Sequence, residues 1–422
     1  MSGARSIRPL LAGTIGLLFA LATSIAQAAD PALARFVADV LEHNPGLKAR
    51  GLDRESARRE ASAAGLYPDP QFAIMVDNVP ERMGGDMPMV RYQVSQMVPW
   101  PGKLALMEQA MARKTDGRAA IARVRALDLE QEAKRAYLML CFNSGLRQVN
   151  QRSRELLTTI AEAALARYSA GTGGHHEVVR AEVERNAIDV EAIDLEGERV
   201  STVAMMNALR NSSAETPIVD PILPDAADLG VIPALAELTR LAEASRPELD
   251  SMRAMQREEE TMASLARRER LPDFMASVWY NQNIGGPDAG GLMVGATLPL
   301  FNIKRQNRRA QAADLRAASA EEDLRAMRAM IGFEVSDARR RLVTASRSLE
   351  LILNVAAPRA MQSFSSSLSA FSAGTVDIVG VMDAWRALQT VEQARIQSLI
   401  ARATAIADVE RAIAGPIPSS TP

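Results

Sequence analysis

Apolar positions recur along this chain with two periods, and the switches between them mark its elements. From Leu104 to Tyr168 there is no proline and only two glycines, Gly117 and Gly145. Most of the rest is Ala, Leu, Met, Glu, Gln, Arg and Lys, which favour helix intrinsically. As one helix the stretch would be about 98 Å long at about 1.5 Å per residue, longer than an ordinary globular domain is wide. The pattern therefore predicts a rod, a coiled-coil arm or the wall of a tube. Val149, Leu156, Ile160 and Ala164 follow coiled-coil spacing. So do Val179, Val183, Ala187 and Val190 on a second helix predicted over His175–Arg210, and both sets are expected to form a core seam.

Elsewhere the period drops to two. Phe72, Ile74 and Val76 share one face, as do Val90, Tyr92 and Val94, which predicts a hairpin of Gln71–Asn78 with Met89–Val98. Phe274, Ala276, Val278 and Tyr280, then Leu292, Val294, Ala296 and Leu298, predict a second hairpin of Asp273–Asn283 with Gly291–Leu298. Helices are expected before each hairpin, over Pro31–His43 and Gly46–Leu66 in one case and Ala234–Ser245 and Glu248–Arg270 in the other. After the second hairpin, Ile303–Phe371 is expected to run out, interrupted by Pro358, and Ile378–Ala414 to return.

The chain thus repeats itself. Asn44-Pro45-Gly46-Leu47 matches Arg246-Pro247-Glu248-Leu249, and Pro68-Asp69 matches Pro272-Asp273. Val98-Pro99 matches Leu298-Pro299, and Tyr168-Ser169-Ala170-Gly171-Thr172 matches Phe371-Ser372-Ala373-Gly374-Thr375. Offsets that stay between 200 and 204 residues indicate an internal duplication. The expected organisation is a secretory signal at 1–28, a first repeat at 29–215 and a Pro-rich linker at 216–233. A second repeat at 234–415 and a flexible tail at 416–422 follow. The signal reading rests on Arg5 and Arg8, the apolar run Pro9–Ile25 and the small-residue site Ala26-Gln27-Ala28.

Composition narrows the function. A net charge of −2 over 422 residues gives a nucleic-acid partner no electrostatic support. The lone Cys141 lies mid-helix, where it reads as a small buried residue. Beyond the signal no apolar run is long enough for a transmembrane helix, so a membrane crossing would have to be a closed β-barrel. The strands have the right length for one, since about 9–11 tilted residues span a bilayer. Eight of the 17 aromatics lie at or beside the hairpins, as interfacial girdles would require. Four strands do not close a membrane barrel. Two copies would make a barrel of about eight strands filled by its own side chains, so three copies and twelve strands are the smallest common duct.

The residues quoted above resemble the TolC family of outer membrane efflux proteins. The resemblance rests on the Asn-Pro-x-Leu start, on Ser95–Leu104, on Arg167–Thr172 with its partner Phe371–Thr375, and on Leu271–Phe274 with Leu298–Phe301. Pro99-Trp100-Pro101-Gly102-Lys103-Leu104 is most similar to the heavy-metal efflux branch. The fold implied is mainly α with a small β part, a duplicated helix–hairpin–helix repeat. It would assemble as a trimeric 12-stranded outer membrane β-barrel continued by a long α-helical periplasmic barrel. The implied function is an exit duct for efflux, here of heavy-metal cations. Its partners would be two further copies, a periplasmic adaptor protein, an inner membrane pump and outer membrane lipid.

The resemblance also implies that the reversal turns, with Gly171, Thr172, Glu177, Gly374 and Thr375, lie at the periplasmic tip. The family usually carries two acids three residues apart at the aperture; here Gly380 and Asp383 stand there, with Asp377 nearby, so one acid is absent. A basic residue expected just after the second glycine is also missing, with Val376 in that region. His175 and His176 point in different directions on a helix, a poor chelate within one chain, although a trimer would make a ring of one of them. Met75, Met83, Met87, Met89 and Met97 gather around the first hairpin, and thioethers suit Cu(I)-like ions, yet lining a barrel accounts for them without a metal. Lys103, Lys304 and Arg305 follow the strand ends and are expected at the membrane boundary. No cofactor motif and no nucleophile–base set appears, so no enzyme is expected. The alternative class is a periplasmic coiled-coil adaptor or scaffold, which would need no strand hairpins of membrane length.

Overall fold

In the computed structural model, residues 30–77, 89–224, 231–283, 286–298 and 303–418 are described. The expected signal at 1–28 and Met83 and Met87 lie outside them. The described residues open with α1 (Pro31–His43) and α2 (Pro45–Ala64), then strands β1 (Gln71–Asp77) and β2 (Met89–Val98). The long helix α3 (Lys103–Ser169) and its return α4 (His175–Leu209) complete the first half. The second half repeats the order with α5 (Leu235–Ser245), α6 (Pro247–Arg268), β3 (Asp273–Asn283) and β4 (Ala289–Thr297). Its outward helix is divided into α7 (Ile303–Leu351) and α8 (Ala357–Ser372), and α9 (Ile378–Ile413) returns.

At 67 residues, α3 spans about 100 Å. The expected break at Pro358 takes the form of a π-helical turn over Ile352–Ala356. Proline has no N–H to give the preceding turn, and its ring crowds the carbonyl four residues back; widening that turn by one residue relieves both. Each reversal is a glycine C-cap. Gly171 has φ +69° and Gly374 φ +77°, a region open to glycine. Thr172 N then donates to Arg167 O at 2.9 Å and Thr375 N to Ala370 O at 3.0 Å, occupying the last helical carbonyls.

The two halves solve one local problem with different residues. Buried Asn44 caps α2, accepting from Leu47 N at 3.2 Å, and sends Nδ2 to Leu209 O at 2.8 Å near the end of α4. Arg246, at the matching place before α6, donates to Ala412 O at 3.2 Å near the end of α9. In both, a proline opens the following helix, where its missing N–H is not needed.

Three apolar cores lie along the helices. One joins α3, α4, α8 and α9 near the reversals, with Ile160, Ala164, Phe371 and Trp385 buried. The second packs α5 and α6 on α7 and α9, and the third packs α1 on α3 and α4, where Cys141 is buried. On α3 the expected seam holds: Val149, Ile160 and Ala164 are buried and Leu156 is half-buried. On α4 it does not. The buried stripe is Ala181, Ile188 and Leu195, while Val179, Val183, Ala187 and Val190 are exposed. Two stripes of the same heptad period run along this helix, and spacing alone does not say which one meets the chain's own neighbours.

The strands form one antiparallel sheet in the order β1-β2-β3-β4. In the second hairpin β3 is as expected, and β4 is shifted from the expected Gly291–Leu298 to Ala289–Thr297.

Candidate functional site

Strand register divides the sheet into two unlike faces. Phe72, Val94, Val278 and Leu292 stand in one row, and Ile74, Tyr92 and Tyr280 in the next, because paired residues share a face. This face is apolar and bare: Phe72 is 64% exposed, Leu292 71% and Val294 72%. Ordinary soluble sheets do not leave so contiguous an apolar patch uncovered. The opposite face is polar. On it Arg91 Nε donates to Asn281 Oδ1 at 3.0 Å, its guanidinium lies 5.4 Å from the centroid of the Trp279 ring, and Asp77 is 3.9 Å away. Gly291 is required beneath Trp279, since a Cβ there would come within 2.3 Å of the indole.

Two of the sequence motifs meet where the sheet joins the helices. Asp273 accepts from Trp100 N at 2.8 Å and from Lys103 Nζ at 2.8 Å, and Trp100 stacks on Phe274 with centroids 5.6 Å apart. Lys103 also donates to Leu271 O at 2.9 Å, so one half-buried ammonium ties β2 and α3 to the start of β3. The turn needs Gly102 at φ +87°. Lys304 and Arg305 occupy the related place at the start of α7 and are exposed.

At the reversals, one arginine serves both turns. Arg167 NH1 donates to Phe371 O at 2.6 Å, the guanidinium lies 4.6 Å from the Phe371 ring centroid, and Nε faces Glu177 Oε2 at 3.6 Å. Glu177 and Arg167 are both largely buried, so their charges are little screened. Arg167 of the first turn thus caps a carbonyl of the second, 204 residues further along the chain. A glycine-threonine motif with a preceding arginine marks the turn, but nothing in the local pattern points that arginine across to the other turn.

The remaining tip residues are placed as follows. Asp377 is the N-cap of α9, its Oδ1 accepting from Gly380 N at 3.0 Å. Asp383 lies one and a half turns further, 65% exposed, with Arg386 NH1 3.5 Å away. Arg386 also pairs with Glu184, joining α9 to α4. The ring of His175 packs edge-on against Tyr168 at 5.4 Å, whereas that of His176 lies against Gly174. The two imidazoles are therefore turned to different neighbours. Among the described residues no three His, Cys, Asp or Glu side chains gather as a metal set, and no helix is long and apolar enough to cross a membrane.

A family model described as outer membrane efflux protein matches residues 238–415. No match was found among the curated proteins. Among solved structures, the outer-membrane channel OprN matches with TM-score 0.80 at 17% identity, over 92% of this chain and 90% of that one. The outer membrane protein VceC of Vibrio cholerae matches with TM-score 0.76 at 17% identity, over 92% and 97%. CusC, whose structures concern folding and transmembrane channel formation, matches with TM-score 0.80 at 13% identity, over 93% and 96%. At such identities the likeness is one of fold. The outer membrane efflux protein model thus matches the second repeat, and the fold of these channels extends along most of the chain.

Proposed function

We propose that this protein is the exit duct of a tripartite efflux system, a transport protein and not an enzyme. Three copies close a twelve-stranded barrel in the outer membrane, and their helices continue it as a tube through the periplasm. The observation that carries the reading is the open sheet: four strands with one bare apolar face and two edge strands, β1 and β4. In water such a sheet is an aggregation hazard; in lipid the face is solvated by acyl chains and the edges pair with the next copies. The exposed Val179, Val183, Val190 and Ile193 stripe on α4 supports the same assembly, as a seam offered to a neighbouring copy. The periplasmic adaptor and inner membrane pump follow from the family, with the adaptor meeting the turns at Gly171 and Gly374. Heavy-metal cations are the cargo favoured by the Pro99–Leu104 stretch. The narrow end lies at the tip, where Asp383, with Asp377 beside it, faces the aperture.

Internal symmetry supplies a test of ring closure. Lys103 follows β2 and grips Asp273, which opens β3. In the repeat, Lys304 follows edge strand β4 and Asp69 precedes edge strand β1; both are exposed, and among the described residues neither forms an ion pair. If β4 pairs with β1 of the next copy, Lys304 meets Asp69 across the interface. Asp69→Cys with Lys304→Cys, in a Cys141→Ser background, should give covalent trimers with a short bismaleimide in membranes. Monomers alone, or a detergent-extracted particle of one chain mass, would overturn the twelve-strand barrel and return the adaptor reading.

A further inference from the structure

We propose that the cationic patch where α6 ends and α7 begins binds the headgroup of an anionic phospholipid, in the membrane leaflet that meets the helices. The topology builds this patch. The hairpin of β3 and β4 separates α6 from α7, and its antiparallel pairing returns the start of α7 to the end of α6. Two contacts fix the juxtaposition: Arg267 NH2 meets Asp314 Oδ1 at 2.5 Å, and Arg309 NH1 faces Glu269 Oε2 at 3.9 Å. Around them Arg268, Arg270, Lys304, Arg305, Arg308 and Arg309 are all exposed, six cations beside the one acid Glu269. Among the described residues Arg268, Arg270, Arg305 and Arg308 form no ion pair. Lower on α7 arginines are neutralised locally, Arg325 by Glu321 and Glu322, Arg340 and Arg341 by Asp337. Here the sequence offers nothing of the kind, since no Asp or Glu occurs from Ala289 to Ala313.

The duplication shows that the fold does not need this charge. The first repeat starts its long helix over Lys103–Ala112 with one cation, Lys103, tied to Asp273, and one acid, Glu108. With Pro68-Asp69 matched to Pro272-Asp273, Leu66 stands where Arg270 does. Clustered like charges repel one another unless an anion compensates them. The surroundings say which anion. Arg268 lies over Gly102, in the space a Cβ would need, and so beside Trp100, which stacks on Phe274. Phe274 belongs to the bare apolar face, two and four residues from Ala276 and Val278. A tryptophan at the border of apolar and polar surface marks headgroup depth. An acyl chain on that face therefore brings its phosphodiester to the arginines, whose planar fork fits phosphate oxygens. A neighbouring copy does not supply the charge. Ring closure gives Asp69 to Lys304, and the end of α2 brings Arg58 and Arg59 along with Glu55 and Glu60, no net negative charge.

That the patch lies at a leaflet rests on the channel reading; its choice among headgroups is a separate property. The test offers the purified full mature chain, in detergent, an equimolar mixture of phosphatidylglycerol and phosphatidylcholine, and native mass spectrometry reads the lipid retained. Each cation near an anionic surface contributes about fivefold, so phosphatidylglycerol should be preferred by at least about tenfold. The triple variant Arg305→Gln, Arg308→Gln, Arg309→Gln should bring the two lipids near parity. The matched triple Arg325→Gln, Arg340→Gln, Arg341→Gln removes the same charge lower on α7 and should change nothing. Glutamine is a good helix former, so α7 persists in both. Excess inorganic phosphate, which has no acyl chain, should not displace the lipid. Equal retention of both lipids, an equal loss in the two triples, or displacement by phosphate would overturn the proposal. So would loss of trimers in the first triple with the lipid preference intact, since the arginines would then serve the contact between copies. Failure of the cross-linking test above with the headgroup preference intact would refute the twelve-strand barrel and leave the lipid site. Retention of neither lipid would refute the membrane reading and the site together.

Discussion

Glu248 is held between two arginines, and removing them one at a time should cost much less than removing both. Its Oε2 meets Arg246 Nε at 2.9 Å and its Oε1 meets Arg411 NH2 at 2.6 Å. All three side chains are buried or nearly so, with exposures of 4% for Arg246 and 13% for Glu248 and Arg411. The outer partners are wetter: Glu334 beside Arg246 is 42% exposed and Asp128 beside Arg411 is 39% exposed. In Arg246→Met or Arg411→Met, the freed outer carboxylate takes up water and Glu248 keeps one cation. The loss is then that of charged hydrogen bonds, about 2 kcal/mol in each variant. In the double variant Glu248 is a buried carboxylate with no counter-charge, so the cost should exceed the sum of the singles by about 1–3 kcal/mol.

The pH dependence carries an independent sign. Burial alone would raise the Glu248 pKa; the Arg411 hydrogen bond, its own backbone amide and the two guanidinium charges outweigh it and hold the group below its usual value. A carboxylate depressed in the folded state contributes stability above its unfolded pKa, about 4.3, and loses it as pH falls through the folded value. With both arginines gone, burial dominates and the pKa rises. That variant should regain stability as pH falls through the raised value, opposite to the parent. The measurement is loss of helical circular dichroism in denaturant, or the unfolding half-life where refolding fails, on detergent-solubilised protein. Additive losses, or a double variant that weakens in acid along with the parent, would refute the reasoning.

Asp383→Ala should reduce cation preference and weaken block by trivalent ions in planar-bilayer recordings, while Arg386→Gln, which removes the compensating charge 3.5 Å away, should increase both. Identical currents in the two variants would exclude an aperture role for Asp383. Arg167→Met removes the Phe371 carbonyl bond and strands the buried Glu177, a loss of about 3 kcal/mol. It should speed amide hydrogen exchange at Thr172 and Thr375 together, and acceleration confined to one turn would show that the two are not coupled. The segments Val79–Pro88, which lies outside the described residues, and Ile284–Gly290, whose last two residues open β4, join the paired strands and should face the cell exterior. Cysteines at Gly85 and Gly286 should react with an impermeant maleimide on intact cells, and reaction only after permeabilisation would reverse the topology.

Local pattern was sufficient for the elements themselves. The expected helix Leu104–Tyr168 is observed as Lys103–Ser169, the strand Asp273–Asn283 is reproduced, and both glycine reversals stand where Gly171-Thr172 and Gly374-Thr375 put them. Helix propensity, a period of two and a glycine at positive φ act over a few residues, so sequence alone can carry them. The duplication was legible for the same reason, as a repeat of such local signals. Tertiary structure decided which of two equal heptad stripes on α4 is buried, because Ala181, Ile188 and Leu195 meet the chain's own core while the valine stripe is left outside. It also decided that Arg167 reaches Phe371 and that Met97 pairs with Met275. Those contacts join residues far apart in the chain, and their free energy depends on how two helical hairpins and two strand hairpins pack together. No window of sequence contains that geometry.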